Sequence, residues 1–332
     1  MIELPFSNGK THQIKNSWDE LSPEQYMDVI DAIAMLLSQS ITILQFRVKL
    51  FEILSGVKVL IDKKSFKSDL PAENIYRITR YLTFPIRIEY ENAKSFSSLK
   101  KDIREKLLRF LPEELDSTPE VRWAEKNKKA ITPDLAFPCN LIPQVGRRRH
   151  VYKGYSFNLT DGILQTSLTT AQFIDAQTVS KGIQEAGSET LLNLLTAILY
   201  SGNSYSALQA GATARSFDSI PIRVKKAIFI NFNAIQEYLY TRTKYAILFN
   251  APSPERAAVE GKPKHNLGLG VAVHSLIKSG YADIENSNLL KFFDIMYSDL
   301  ISNVTSLHKQ GKTVDEISEL TGITLSKINQ II

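Results

Sequence analysis

The sequence predicts a mainly α protein of two helical modules, with short strands and hairpins in the N-terminal half and at the junction. Three observations predict it. Apolar residues recur at helical spacing behind hydroxyl caps through most of the chain, β-branched alternation is confined to a few short stretches, and one helix-start phrase occurs twice. The modules are expected over residues 1–130 and 161–332, separated by a proline-rich, basic linker and hairpin over 131–160.

The first sixteen residues alternate around Ile2, Leu4, Phe6 and Ile14 with Asn8-Gly9 between them, the pattern of a hairpin or edge strand. Ser22-Pro23-Glu24-Gln25 then starts a helix. The Ser22 hydroxyl can accept an orphan N–H, Pro23 needs no donor at the first helical position, and Gln25 can bond back to the cap. Tyr26, Val29, Ile30, Ile33, Leu36 and Leu37 share one stripe. A second helix is expected from about Thr42 to Leu54, stopped by Ser55-Gly56. Val57–Ile61 and Phe84–Tyr90 read as strands around a helix over Ala72–Leu82. Pro133, Pro138 and Pro143 each remove a backbone donor and bias the preceding residue away from helix, which places the boundary there. After the cluster Arg147, Arg148, Arg149, His150, the stretch VYKGYSF reads as a hairpin turning at Lys153-Gly154. Helices follow over Thr170–Lys181, Glu189–Tyr200, Ile222–Tyr240, Leu267–Lys278 and Asn288–Lys309. Two short terminal helices have helix-turn-helix spacing: Thr313-x-x-Glu316 caps one, Gly322 permits the turn, and Thr324 can cap the last.

The halves echo each other. Leu21-Ser22-Pro23-Glu24-Gln25-Tyr26-Met27-Asp28 matches Leu168-Thr169-Thr170-Ala171-Gln172-Phe173-Ile174-Asp175 in its Leu, hydroxyl cap, Gln, aromatic, apolar and Asp positions, at an offset of 147. Ser55-Gly56 and Ser201-Gly202 keep that spacing to within one residue. Duplicated modules explain this, and so does chance agreement of two common capping patterns.

Composition bounds the function. In 332 residues, 43% hydrophobic and 23% charged, a disordered or fibrous chain is excluded, and a formal charge of +5 is too dilute to make a nucleic-acid surface by itself. The single Cys139 and the scattered His12, His150, His265, His274 and His308 have no structural-zinc spacing, and no run approaches ~18 apolar residues, so a soluble intracellular protein without metal, cofactor or membrane span is expected. Gly9-Lys10-Thr11 and Gly311-Lys312-Thr313 lack the earlier glycine of a phosphate loop, with Leu4 and Ser306 in its place. Gly268-Leu269-Gly270 lacks the third glycine of a dinucleotide fingerprint. Cys139 has no cation nearby to stabilise a thiolate, and Gly202-Asn203-Ser204-Tyr205-Ser206 fails the nucleophile-elbow pattern at its last position. No catalytic residue is legible, and an enzyme is not expected.

Binding residues remain. Phe229, Phe232, Tyr238 and Tyr240 accompany Phe292, Phe293 and Tyr297 with more apolar width than one stripe needs; Tyr238, Tyr240, Phe292, Phe293 and Tyr297 are therefore expected partner contacts, with a larger core as the alternative. Arg147, Arg148 and Arg149, beside Tyr152, Lys153, Tyr155 and Phe157, suit a solvated loop, an acidic protein partner or, less well, nucleic acid. Over residues 308–332, Lys309, Lys312 and Lys327 balance Asp315, Glu316 and Glu319. The terminal helix pair is accordingly expected to dock protein rather than bind DNA, with Ile323, Leu325, Ile328, Ile331 and Ile332 buried against the Asn288–Lys309 helix or in another subunit, and with Asn329 and Gln330 as the features favouring DNA.

Several phrases taken together, Ser17-Trp18-Asp19-Glu20-Leu21-Ser22-Pro23-Glu24-Gln25, Phe46-Arg47-Val48-Lys49-Leu50, Asn140-Leu141-Ile142-Pro143, Leu168-Thr169-Thr170-Ala171-Gln172-Phe173 and Leu199-Tyr200, resemble those of proteins encoded in the tail and neck region of Bacteroides-type phages and prophages, some of them tail-assembly-chaperone-like. The resemblance implies a non-enzymatic virion assembly protein, either a tail assembly chaperone or a component of a neck or tail adaptor ring. Its implied partners are tape-measure, tail or portal and neck proteins and further copies of itself, in the host cytoplasm during assembly or in the virion. The alternative is a DNA-binding regulator that uses the terminal helix pair.

Overall fold

A computed structural model describes residues 2–5, 11–58, 79–147, 150–202, 205–249 and 269–332. The chain is mainly helical: thirteen α-helices and four two-stranded antiparallel pairs are present among the described residues. It divides into two compact units, Met1–Leu135 and Ala136–Ile332.

In the first unit, β1 (Ile2–Pro5) pairs with β2 (Thr11–Ile14), which places the expected hairpin at the start of the chain. Next comes α1 (Pro23–Leu37), whose capping box forms as its sequence dictates: the Gln25 N–H donates to Ser22 Oγ and the Ser22 N–H donates to Gln25 Oε1, both at 3.2 Å. Thr42 and Gln45 build the same box for α2 (Ile43–Ser55), which ends at Gly56 with φ +72°. The buried face of α1 is Tyr26, Val29, Ala32 and Ile33. Trp18 meets Tyr26 and Phe84 edge-on and donates its indole N–H to the Asp134 carbonyl at 3.0 Å.

In the rest of this unit only the strand expected at Phe84–Tyr90 was legible in the sequence. Strand β3 (Ile86–Tyr90) pairs with β4 (Lys128–Pro133), and between them lie α3 (Ala93–Ser98), α4 (Lys101–Arg109) and α5 (Pro119–Asn127). Ile88, Tyr90, Leu107, Val121 and Ala124 form their shared core. A bidentate ion pair from Arg47 on α2 to Glu114 lies inside the unit, with both side chains 1% exposed. The expected strand Val57–Ile61 has no regular structure at Val57 and Lys58, and its remainder lies outside the described residues, as does most of the expected helix Ala72–Leu82.

The second unit opens with Ala136–Pro143. Asn231 holds this segment with both ends of its amide, accepting from the Leu141 N–H at 2.9 Å and donating to the Cys139 carbonyl at 2.8 Å. Two hairpins follow, β5 (Gln144–Arg147) with β6 (His150–Lys153), and β7 (Phe157–Thr160) with β8 (Ile163–Thr166). Residues 131–160 are therefore not a linker: β4 belongs to the first unit's sheet and the hairpins belong to the second unit. Lys153-Gly154 is not a hairpin turn either. Gly154 instead donates its N–H to Pro143 O at 2.9 Å, and a Cβ placed there would sit 2.7 Å from the Tyr200 ring. The turn between β7 and β8 falls at Asp161-Gly162, where two successive positive φ values, +51° and +77°, give the backbone twist a two-residue hairpin requires.

Helix α6 (Thr170–Ala186) starts at its Thr169 cap and runs beyond the expected stop near Lys181. Gly182 lies within it and faces Leu191 of α7 (Glu189–Leu199), so the small residue serves helix packing. Then follow α8 (Ala207–Thr213), α9 (Ile222–Arg242), α10 (Leu269–Lys278), α11 (Leu289–Lys309), α12 (Val314–Thr321) and α13 (Leu325–Ile331). Phe173, Phe232, Phe292 and Phe293 are fully buried, with ring centroids 5.5–5.9 Å apart in successive contacts.

The repeated sequence phrases have matching structural roles. Each unit runs hairpin, buried leucine, hydroxyl cap, helix, helix: β1–β2, Leu21, Ser22, α1 and α2 in the first, and β7–β8, Leu168, Thr169, α6 and α7 in the second. Tyr26 and Phe173, the paired aromatics, are both fully buried. Gly56 and Gly202 have φ +72° and +77°.

Candidate interaction surfaces

The five aromatic residues expected to contact partners do not form one surface. Phe292 and Phe293 are core, not interface: both are 0% exposed, with the Phe293 ring packed against Phe173, Tyr245, Phe249 and Phe292. Tyr240 is largely enclosed, with its ring 4.1 Å from Phe249 and its hydroxyl accepting from Gln177 Nε2 at 2.6 Å; burial raises its pKa. Tyr238 is half-buried; burial raises its hydroxyl, and the Arg242 charge opposes part of that shift.

Tyr297 is half-buried beside a polar cluster. Lys244 Nζ is 5.6 Å from the centroid of its ring, 5.2 Å from that of Tyr245, and 2.7 Å from the Asp294 carboxylate. Tyr245 donates to the same carboxylate at 2.8 Å. Burial first, and then that bond and the charge on Asp294, raise the Tyr245 hydroxyl. Beside this cluster runs an open groove of about 560 Å³ lined by Tyr281, Asn288, Lys291, Asp294, Ile295 and Asp299. Leu290 also lines it, so the groove offers apolar surface beside two carboxylates and one ammonium.

Arg147 closes β5 opposite His150 on β6, while Arg148 and Arg149 lie outside the described residues.

Sequence reasoning missed one exposed apolar element of the second unit. The β7–β8 hairpin leaves Ile163 64% and Leu159 45% exposed. Its base is anchored: Asn288 donates to Thr166 O at 2.6 Å and the Thr166 hydroxyl donates to Ser156 O at 2.8 Å. The available signal was Asp161-Gly162 between alternating residues, a hairpin turn in its own right.

At the C-terminus the burial expected for the apolar end is met within the chain. Ile323 and Ile328 pack with Val304 and Ile317 in a small core formed by α11, α12 and α13, with Leu300, Leu307, Val314 and Ile331 at its edge. Thr313 and Glu316 build the expected capping box, but Thr324 makes no side-chain cap bond. What remains exposed on α13 is polar: Ser326, Asn329 and Gln330.

Among the described residues no helix is long and apolar enough to cross a membrane, and no three His, Cys, Asp or Glu side chains gather as a metal site. No family model, no curated protein and no solved structure matches the chain.

Proposed function

We propose that this chain is a non-enzymatic phage assembly protein that works through protein–protein contacts in the tail or neck. One structural observation supports the protein–protein part of this reading, the β7–β8 hairpin with its exposed Leu159 and Ile163 and its anchored base. Apolar side chains held out on a rigid ribbon gain free energy when a partner covers them, at roughly 25 cal/mol per Å² of apolar surface removed from water. The phage assignment rests on the resemblance of phrases such as Ser17–Gln25 and Leu168–Phe173. As an assembly chaperone the protein would shield apolar helices of a tape-measure protein until tail subunits polymerise. As a virion component it would hold the same contacts permanently.

Mass spectrometry on purified particles and on lysate from the same infected or induced culture tests the reading. Stoichiometric presence in particles establishes a virion component. Presence only in lysate, bound to the tape-measure protein, establishes a chaperone. Absence from particles together with no tail or neck protein bound in lysate overturns the proposal.

A further inference from the structure

We propose that the C-terminal helix pair reads the sequence of duplex DNA, with α13 as the helix that enters the major groove. The geometry is that of a helix-turn-helix. Helices α12 and α13 are joined by Gly322-Ile323-Thr324, with Gly322 left-handed at φ +72°. Ser318, small and buried, donates its hydroxyl to Ile323 O at 2.7 Å and fixes the turn against α12. Val304 of α11 joins Ile317, Ile323 and Ile328 in a core that holds the pair on a third helix.

That core changes what the pair can offer a partner. Once Ile323 and Ile328 face inward, the outer arc of α13 is Ser326, Asn329 and Gln330, three neighbouring positions at helical spacing and all exposed. Asn and Gln carry a donor and an acceptor at a fixed separation that matches the N6 and N7 edge of adenine. From Gly322 to Ile332 no side chain is acidic. The acids all lie on α12, where Glu316 is occupied by the Thr313 N–H and Lys312, while Asp315 and Glu319 stay exposed and weaken attraction. Lys309, exposed at the end of α11, and Lys312, exposed before α12 and held by Glu316 in a surface ion pair that a phosphate can displace, stand at the end that meets the backbone when such a pair docks. Lys327 does not join them, because its ammonium donates to Ala246 O at 3.0 Å. Two phosphate contacts per copy give a salt slope of only about −2 and weak binding by one copy. Selectivity carried by base edges, with little general affinity, is the expected signature.

The full chain is tested by retention of duplexes from a randomised 16-base-pair library at low salt, followed by sequencing. Enrichment of a short motif is expected. Asn329→Ala with Gln330→Ala should abolish the enrichment at an unchanged melting temperature, and Lys309→Gln with Lys312→Gln should lower retention of every sequence about tenfold or more. A retained pool identical to the input overturns the proposal, and so does enrichment that survives Asn329→Ala/Gln330→Ala. Self-association lost on changing the exposed Leu320 and Ile332 to Ser, without motif enrichment, assigns the face to protein docking and equally overturns it.

Discussion

Gln172 donates its side-chain amide to the Ile198 carbonyl at 2.7 Å, tying the first turn of α6 to the last turn of α7. Ile198 O is among the carbonyls a helix leaves unpaired at its end, so the bond closes the helical hairpin where backbone bonding runs out. Gln25 does the same for Ile53 O in the first unit, at 3.2 Å. Replacing Gln172 by Leu removes a buried donor and should destabilise the protein by about 1–3 kcal/mol, read by urea denaturation. Gln25→Leu should cost less, because Gln25 is only half-buried and water can replace its bond. Equal and negligible effects would mean that the shared glutamine has no closing role.

Arg47 and Glu114 lie in the interior of the first unit, each 1% exposed. Glu114→Gln leaves a buried cation without its counter-charge and should cost about 3–5 kcal/mol. Arg47→Met combined with Glu114→Met removes both charges and should cost less than Glu114→Gln alone. A double change more destabilising than the single one, measured in the same denaturation series, contradicts this account.

Gly154 and Gly182 separate two kinds of close approach. A Cβ at Gly154 meets the Tyr200 ring at 2.7 Å, and that ring is held by a 2.5 Å hydrogen bond from its hydroxyl to Ile142 O. Gly154→Ala should therefore cost about 1–3 kcal/mol. At Gly182 the nearest atom is a Leu191 methyl at 3.2 Å, which can shift, and alanine's better helix propensity offsets the strain. Thermal melts should place Gly182→Ala within about 0.5 kcal/mol of the parent.

Phe293 and Tyr297, one helical turn apart on α11, have opposite fates. Phe293→Ala empties core volume and should cost about 3–5 kcal/mol, whereas Tyr297→Ala should cost less than about 1 kcal/mol. If Tyr297 contacts a partner, its loss should weaken that association at an unchanged melting temperature. Parallel loss of stability in both variants would place Tyr297 in the core.

Glu316 links stability to pH. The Thr313 N–H, followed by Lys312, holds its carboxyl below the ordinary value, so the folded state binds the proton less readily than the unfolded chain. The contribution is present above the unfolded pKa and is lost as pH falls through the lower folded value. Glu316→Gln keeps the capping geometry without titrating. The parent should therefore lose more melting temperature than the variant between about pH 6 and pH 3. A variant that loses as much would assign the acid sensitivity elsewhere.

What the sequence determined by itself was local. The caps at Ser22, Thr42, Thr169 and Thr313 and the stop at Gly56 follow from hydrogen bonds and φ preferences within about four residues of chain. The mainly α class and the repeated helix starts were legible for that reason. Helices α3 to α5 were not, because stripes as short as Ile103 with Leu107, or Val121 with Ala124, become helical only by docking on Ile88 and Tyr90, which the fold brings to them. The same holds for the surfaces. Spacing put Phe292, Phe293, Tyr297, Ile328 and Asn329 on the right helices, but which arc of a helix meets water depends on the distant elements that cover it. Only the tertiary structure buried Phe293 and Ile328 and left Leu159, Ile163 and Asn329 exposed.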